Sequence, residues 1–367
     1  MKKKILFILN TYNFQSNFLK KNLSLNQNYL RFNKEDQNWF NYFYNNLKKD
    51  FFLKKDYPNL NKTILGENYC EFLQKKINRF KPHLIFSNVN DKNIENLLSK
   101  YNNTKKIIWV SHLISKKKLK YYKNIFEYLI TDNDHIYKQA RYLKFKVFNF
   151  RISAPAYIKL NKKDFIKRRS EIYFSGSLGY NFQNRFDILN FLNNNFKIKT
   201  RIRNLVEKYK ILNFVNSFLL KIFPTFTQKL YKKKILPFTN NLKYINQDEL
   251  FGKEMLNELK KFKICINIHS DFGKNKTINM RVYEALSAGC LLISDKNEKM
   301  EKFFKNKNHV IYFNNKNDLN RKIDYYLKNS NEAFKIANNG NILFRQKFQS
   351  AKRLTKFKRL LNNIIIK

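Results

Sequence analysis

The chain has 367 residues, 43% hydrophobic and 16% aromatic, enough to bury two ordinary cores. Lys and Arg number 74 against 27 Asp and Glu, and the formal charge of +47 creates a field that attracts polyanions of any kind. Three scattered cysteines, Cys70, Cys265 and Cys290, with no C-x-x-C spacing argue against a thiolate metal site and a disulfide-stapled secreted domain, and they suit a reducing cytoplasm.

Along the first half, MKKKILFILN has an apolar part too short for a signal sequence and no small-residue cleavage site, so Lys4 to Leu9 is predicted as a buried strand. Helical stretches follow near Trp39 to Leu47 and Cys70 to Phe80. Strands are then expected at Pro82–Ser87, Lys106–Ser111, Tyr128–Thr131 and Val147–Phe150, alternating with helices at Lys92–Tyr101, Leu119–Phe126 and Asp134–Leu143. This spacing predicts a parallel doubly wound sheet, whose ligands sit beyond the carboxyl ends of its strands. Ser87, Ser111, His112 and Thr131 fall at such ends. His112 follows Trp109-Val110-Ser111 and can take a proton from an acceptor hydroxyl, although a strand-end histidine bonded to backbone has the same appearance. The D-x-D at Asp132-Asn133-Asp134 reads either as a helix cap or as a metal-binding pair. Ala154-Pro155-Ala156 and the charged stretch Lys159 to Arg169 read as a linker.

A second sheet is expected to start at Glu171, and five of the seven glycines lie between Gly176 and Gly289, where close backbone approach to a ligand is easiest. Ser175-Gly176-Ser177-Leu178-Gly179 is predicted as a loop before a helix carrying Phe186, Ile188, Leu189 and Leu192. Amides at that helix start can hold a diphosphate, and a tight turn without ligand would look the same. From Ile264 to Asp295, ICINIHSDFGKNKTINMRVYEALSAGCLLISD compresses a strand, a polar loop, a helix from Arg281 closed by Gly289, and the strand Leu291 to Ser294. A glutamate at the start of such a helix can accept both ribose hydroxyls of a nucleotide, which nominates Glu284, although an exposed helix glutamate stabilised by the helix dipole has the same appearance.

At these residues the chain resembles the GT-B fold glycosyltransferases, and within them the group 1 branch that includes CgeB-like spore-maturation proteins. The match is to the pattern N-x-R-x-[YF]-E-A-x-[AS]-x-G, filled by Asn279, Arg281, Tyr283, Glu284, Ala285 and Gly289. It continues through Phe303, His309–Phe313, Asp318-Leu319, Ile323 to Leu327 and Ile336-Ala337-x-x-Gly340, and it includes Glu171–Ser177 and Arg185 upstream. About residues 170 to 360 carry it, whereas the first 160 share only the layout.

The resemblance implies an α/β protein of two Rossmann-like doubly wound parallel-sheet domains facing each other across a cleft. The expected domains are an acceptor domain at 1–160, a donor domain at 161–344 and a terminal helix at 345–367 that packs back on the first. The implied activity is transfer of a sugar from a nucleotide-diphosphate-sugar to a glycan, lipid-linked or protein acceptor, as in cell-envelope polysaccharide or glycoconjugate synthesis. His112, Arg281 and Glu284 are the catalytic candidates. Ser175, Gly176, Ser177, Gly179, Arg185, His269, Asp271, Asn279 and Tyr283 are the donor-binding candidates. Related enzymes often carry a second glutamate eight residues before Glu284. Here that position is Lys276, and His269 and Asp271 are near enough in sequence to substitute.

GT-B enzymes generally neutralise the leaving group with basic side chains and helix amides, so no metal or other cofactor is expected. Nucleic acid is the least favoured partner, since no zinc finger, RNP-type or helix-turn-helix signal accompanies the charge. The basic amphipathic run Arg201 to Phe238 suits either an anionic membrane surface, placing a cytoplasmic enzyme at the inner face of the membrane, or helices covering the sheet. Its most apolar window, Phe214 to Phe223, is interrupted by Asn216, Ser217 and Lys221 and is not a spanning helix. A non-catalytic protein that keeps the fold and binds polyanions is the alternative. No Ser-His-Asp order, H-E-x-x-H or G-K-[ST] loop is visible.

Overall fold

The strands form two separate all-parallel sheets. The computed structural model describes residues 2–9, 39–58, 68–110, 114–178, 183–204, 222–223, 250–269 and 277–366. Contacts divide the chain into one unit of Met1–Ile152 with Ala351–Lys367 and another of Ser153–Ser350.

In the first unit the elements are β1 (Lys4–Ile8), α1 (Trp39–Leu47), β2 (Phe52–Asp56), α2 (Tyr69–Phe80), β3 (Leu84–Ser87), α3 (Lys92–Ser99), β4 (Lys105–Trp109), α4 (Lys116–Lys123), β5 (Tyr128–Thr131), α5 (Asp134–Tyr142) and β6 (Lys146–Asn149). The sheet order is β2-β1-β3-β4-β5-β6, so the chain reverses its direction of travel between β1 and β3. Strands β3 and β5 are buried along their whole length, as their continuous apolar runs require of strands covered on both faces. Asn133 accepts from the amides of His135 and Ile136, which fixes the D-x-D segment as the N-cap of α5. Asp132 is committed to Arg151.

One face of this sheet is covered by a cluster that includes Leu73, Ile94, Leu119 and Ile136 from α2 to α5. The other face carries an aromatic cluster. Phe357, from the final helix, stacks on Phe150 at 4.7 Å and meets Phe86 at 5.9 Å and Phe43 of α1 at 6.4 Å. Lys105 donates to the carbonyl of Ile364, satisfying one of the orphan acceptors at the end of that helix.

The second unit contains α6 (Lys162–Ile166), β7 (Arg169–Leu178), α7 (Gln183–Asn195), β8 (Ile198–Asn204), α8 (Gly252–Leu259), β9 (Phe262–Asn267), α9 (Met280–Ser287), β10 (Leu291–Asp295), α10 (Glu298–Glu301), β11 (Ile311–Phe313), α11 (Lys316–Lys328) and α12 (Ser330–Leu343). A π-helical turn, Phe344–Phe348, leads to α13 (Ser350–Ile366). The sheet order is β11-β10-β9-β7-β8, and the reversal lies between β7 and β9. Such a reversal opens a crevice at the carboxyl ends of its two strands, where ligands bind in open α/β sheets.

Two expectations are corrected here. The stretch Ala154 to Arg169 is not a linker, because Leu160 and Phe165 are buried in the second core and Ser287 of α9 both donates to the Pro155 carbonyl and accepts from the Tyr157 amide. Its charged residues surround a few apolar anchors, and those anchors decide the packing. The second correction concerns Ser175-Gly176-Ser177-Leu178, which extend β7 rather than forming a loop. Strand β8 is long enough to pair them one by one, from Ser175 with Arg201 to Leu178 with Asn204.

Candidate functional site

On its β9 side, β7 loses its partner after Phe174, which pairs with Ile266. Beyond that point the two strands part, and the gap is filled by Arg185 from the first turn of α7. Its guanidinium lies 5.8 Å from the centroid of the Phe174 ring and donates to the carbonyl of Ile268 at 2.6 Å. Gly176 makes the passage possible, since a Cβ there would stand 3.2 Å from Arg185 Nη1 and 3.0 Å from Phe174 Cζ. Arg185 is buried, so the cation is built into the crevice.

The carboxyl ends of β9 and β10 carry a polar relay in the otherwise apolar layer. Asn279, the N-cap residue of α9, makes no side-chain cap and instead donates to Asn267 Oδ1 at 3.0 Å. Asn267 donates to Ser294 Oγ at 2.9 Å, and that hydroxyl donates to the Asp295 carbonyl at 3.1 Å. Asp295 accepts three times from His269: from its amide to both carboxylate oxygens at 3.1 Å, and from Nδ1 at 2.6 Å. The His269 side chain is fully enclosed, and Nε2 has no hydrogen-bond partner among the described residues. A buried polar atom without a partner costs about 1–3 kcal/mol and is rare in native folds.

One helical turn into α9, Arg281 and Glu284 form an ion pair of 2.7 Å, with 19% and 8% of their side chains exposed. The Arg281 charge also reaches Tyr173 on β7; burial raises the phenol's pKa, and Arg281 opposes the rise. Helix α9 is buried from Val282 to Ala288, more completely than a one-faced stripe would require. Tyr283 belongs to that core, its ring 5.8 Å from Phe348 and 6.4 Å from Phe344 of the π-helical turn.

A cavity of about 630 Å³ opens beside this relay, bounded by Asn184 and Ile188 of α7, by Asp295, and by Asn314 to Lys316 at the start of α11. Three carboxylates line it, Asp295, Glu298 and Glu301, together with Lys296 and Lys316. Among the described residues no group of three or more His, Cys, Asp or Glu is placed to hold a metal ion. Cys265 and Cys290 are buried in the same layer. Burial pushes both thiols up, Cys290 to about 11, so neither offers a thiolate near neutral pH.

Of the residues nominated from sequence, the second unit thus gathers Gly176, Arg185, His269, Asn279, Arg281 and Glu284 at the ends of β7 and β9 and the start of α9. Ser175 and Ser177 belong to the same stretch of β7. Gly179, Asp271, His112 and most of the amphipathic run Arg201 to Phe238 lie outside the described residues. Asn267, Ser294 and Asp295 were not nominated. The available signal was a polar residue closing each apolar run, Asn267 after Ile264–Ile266 and Ser294-Asp295 after Leu291–Ile293.

Residues 225–359 match the model of a family described as glycosyl transferase-like. No curated protein sequence matches the chain. Among solved structures it is similar to a glycosyltransferase from Rickettsia africae ESF-5, at 13% identity and a TM-score of 0.58 over 99% of both chains. HepE of Anabaena, solved in complex with UDP-glucose, is similar at 9% identity and a TM-score of 0.61, over 98% of this chain and 99% of HepE. The sucrose-phosphate synthase of Thermosynechococcus elongatus follows at 10% identity and a TM-score of 0.56, over 81% of this chain and 77% of that one. At such identities the likeness is one of fold: two parallel-sheet α/β units, as in these structures.

Proposed function

We propose that this protein is a glycosyltransferase that moves a sugar from a nucleotide-diphosphate-sugar to an acceptor hydroxyl. The observation that carries the reading is the crevice between β7 and β9. There a buried arginine, an arginine–glutamate pair and a histidine–aspartate pair lie where the strand order of the sheet reverses. Most of that crevice lies in the segment similar to glycosyl transferase-like proteins.

In this reading Glu284 accepts the ribose hydroxyls, and Arg281 holds its carboxylate in place. Bond cleavage leaves oxocarbenium-like charge at the anomeric carbon and sends the bonding electron pair to the diphosphate oxygen. Arg185, Arg281 and the amides at the start of α7 stabilise that developing negative charge. The acceptor oxygen then bonds to the anomeric carbon and gives up its proton, for which His112 is the proposed base.

A uridine donor is tested first, because HepE was solved with UDP-glucose. The proposed acceptors are glycans, lipid-linked sugars or proteins, within a branch similar to CgeB-like proteins. No helix among the described residues is long and apolar enough to cross a membrane. The basic run from Arg201 is proposed to hold the enzyme at an anionic membrane surface where lipid-linked acceptors are confined.

The experiment is thermal unfolding of the purified protein against UDP-, GDP-, ADP-, CMP- and dTDP-sugars at moderate salt, repeated with Glu284→Ala. A ligand that binds only the folded state raises the midpoint by mass action. A rise with one base family that disappears in the variant supports the reading. No rise with any donor, together with a salt-labile rise with DNA or anionic vesicles, overturns it in favour of polyanion binding.

A further inference from the structure

The geometry points to Asp295 as a positioning residue that sets His269 to accept a hydrogen bond from a hydroxyl of the transferred sugar. This rests on the nucleotide-sugar reading above. Asp295 binds both the amide and the ring of His269, so the imidazole cannot turn without breaking contacts on two sides. A carboxylate only accepts, and it therefore places the proton of the neutral ring on Nδ1. Nε2 is left with a lone pair, enclosed and without a partner among the described residues.

The partner that Nε2 lacks must be a donor. An ionised diphosphate presents only acceptors, and the ribose hydroxyls are taken by Glu284 in the proposed complex. The donors that remain on a nucleotide-sugar are the N–H groups of the base and the hydroxyls of the sugar to be transferred, and a comparison of UDP with UDP-glucose separates the two. The cavity beside Asp295 offers Asp295, Glu298 and Glu301 together with Lys296 and Lys316, a mixed set of acceptors and donors. Strand register makes the arrangement possible: Ser294 lies beside Asn267, so Asp295, the last residue of β10, comes within reach of His269, two residues beyond the end of β9.

The test compares affinities for UDP-glucose and for UDP, and for the equivalent pairs with the other bases, by calorimetry in the wild type, Asp295→Asn, His269→Gln and His269→Leu. The expected result is that nucleoside-diphosphate affinity stays within about twofold in every variant. Nucleotide-sugar affinity should fall about tenfold or more in Asp295→Asn and His269→Leu and recover in part in His269→Gln, whose side-chain carbonyl can accept. Equal loss for UDP and UDP-glucose would overturn the assignment, and so would no loss for either.

Should Asp295→Asn fail to fold, ¹⁵N resonances of the wild-type ring decide the question. They are expected to report the Nδ1–H tautomer, with Nε2 shifting on addition of UDP-glucose but not of UDP. An unmoved ring in a protein that binds UDP-glucose sinks the His269–Asp295 assignment alone. A wild type that binds no nucleotide and no nucleotide-sugar sinks the donor reading with it.

Discussion

Arg281 Nη1 stands 2.7 Å from Glu284 Oε2 across one turn of α9, and both side chains are largely withdrawn from solvent. Withdrawing two charges from water costs about what their attraction returns, so a pair of this kind contributes little net stability. Its value lies in holding a charged carboxylate in one orientation at the mouth of a crevice.

Removing one member is a different matter from removing both. Glu284→Ala should abolish the nucleotide-sugar response and lower unfolding stability by about 1–3 kcal/mol, less than for a fully buried pair because Arg281 keeps some access to water. The double variant Arg281→Ala/Glu284→Ala should recover part of that stability and none of the binding. Urea unfolding of the two variants, with ligand titration of each, separates the two roles; a double variant less stable than the single one contradicts this account.

Gly176→Ala probes the route taken by Arg185. The added methyl would press on Phe174 Cζ at 3.0 Å and Arg185 Nη1 at 3.2 Å, both at the ends of side chains that can yield. Fold stability should fall by about 1–2 kcal/mol. Ligand affinity should suffer more, since the guanidinium that donates to the Ile268 carbonyl at 2.6 Å would be pushed from its place in the crevice by a few tenths of an ångström. An unchanged affinity for the donor identified by thermal shift would show that Arg185 serves the fold alone.

The sequence made the strand–helix–strand unit β9, α9 and β10 legible because its apolar runs, its helical pattern and its closing glycine all agree. Gly289 indeed adopts a φ of +66° at the end of α9. Strand β2 escaped notice since it reads Phe-Leu-Lys-Lys-Asp, and it is an edge strand, where charge on the exposed side is tolerated and protects against unwanted pairing. The length of β7 was hidden for another reason. Ser175 to Leu178 have turn-like composition, and only the presence of β8 beside them makes extension favourable. Asp295 was invisible as a site residue because its importance is a matter of register. Nothing local in Ser294-Asp295 says that His269, 26 positions earlier, lies across the strand end.

Gly340→Ala supplies a stability control away from the crevice. A Cβ at this position in α12 would lie 2.4 Å from the main-chain carbonyl oxygen of His309 and 2.9 Å from Leu286 Cδ2. The carbonyl belongs to the backbone leading into β11 and cannot rotate aside as a side-chain tip can. The expected loss is about 3 kcal/mol, at the upper end for overpacking, and chemical denaturation should show it as a lower midpoint. A midpoint equal to that of the wild type would mean that α12 can shift outward at little cost.

Lys55 gives the fold a defined response to alkaline pH. Burial first, and then the neighbouring Lys48, lower its ammonium pKa to about 8, although the rings of Tyr44 and Tyr57 lie 4.4 and 5.7 Å from Nζ. In the unfolded chain the same group titrates near 10.4. Between those values the unfolded state binds more protons than the folded state, so stability rises with pH across this interval. Below pH 8 the group is charged in both states and the full cost of burying it is present. Lys55→Met should therefore be more stable than the wild type at pH 7, and the gap should close as pH approaches 10. Melting midpoints of both proteins between pH 7 and 10 check this: a gap that stays constant would mean that the charge on Lys55 carries no cost and that the variant acts through packing alone.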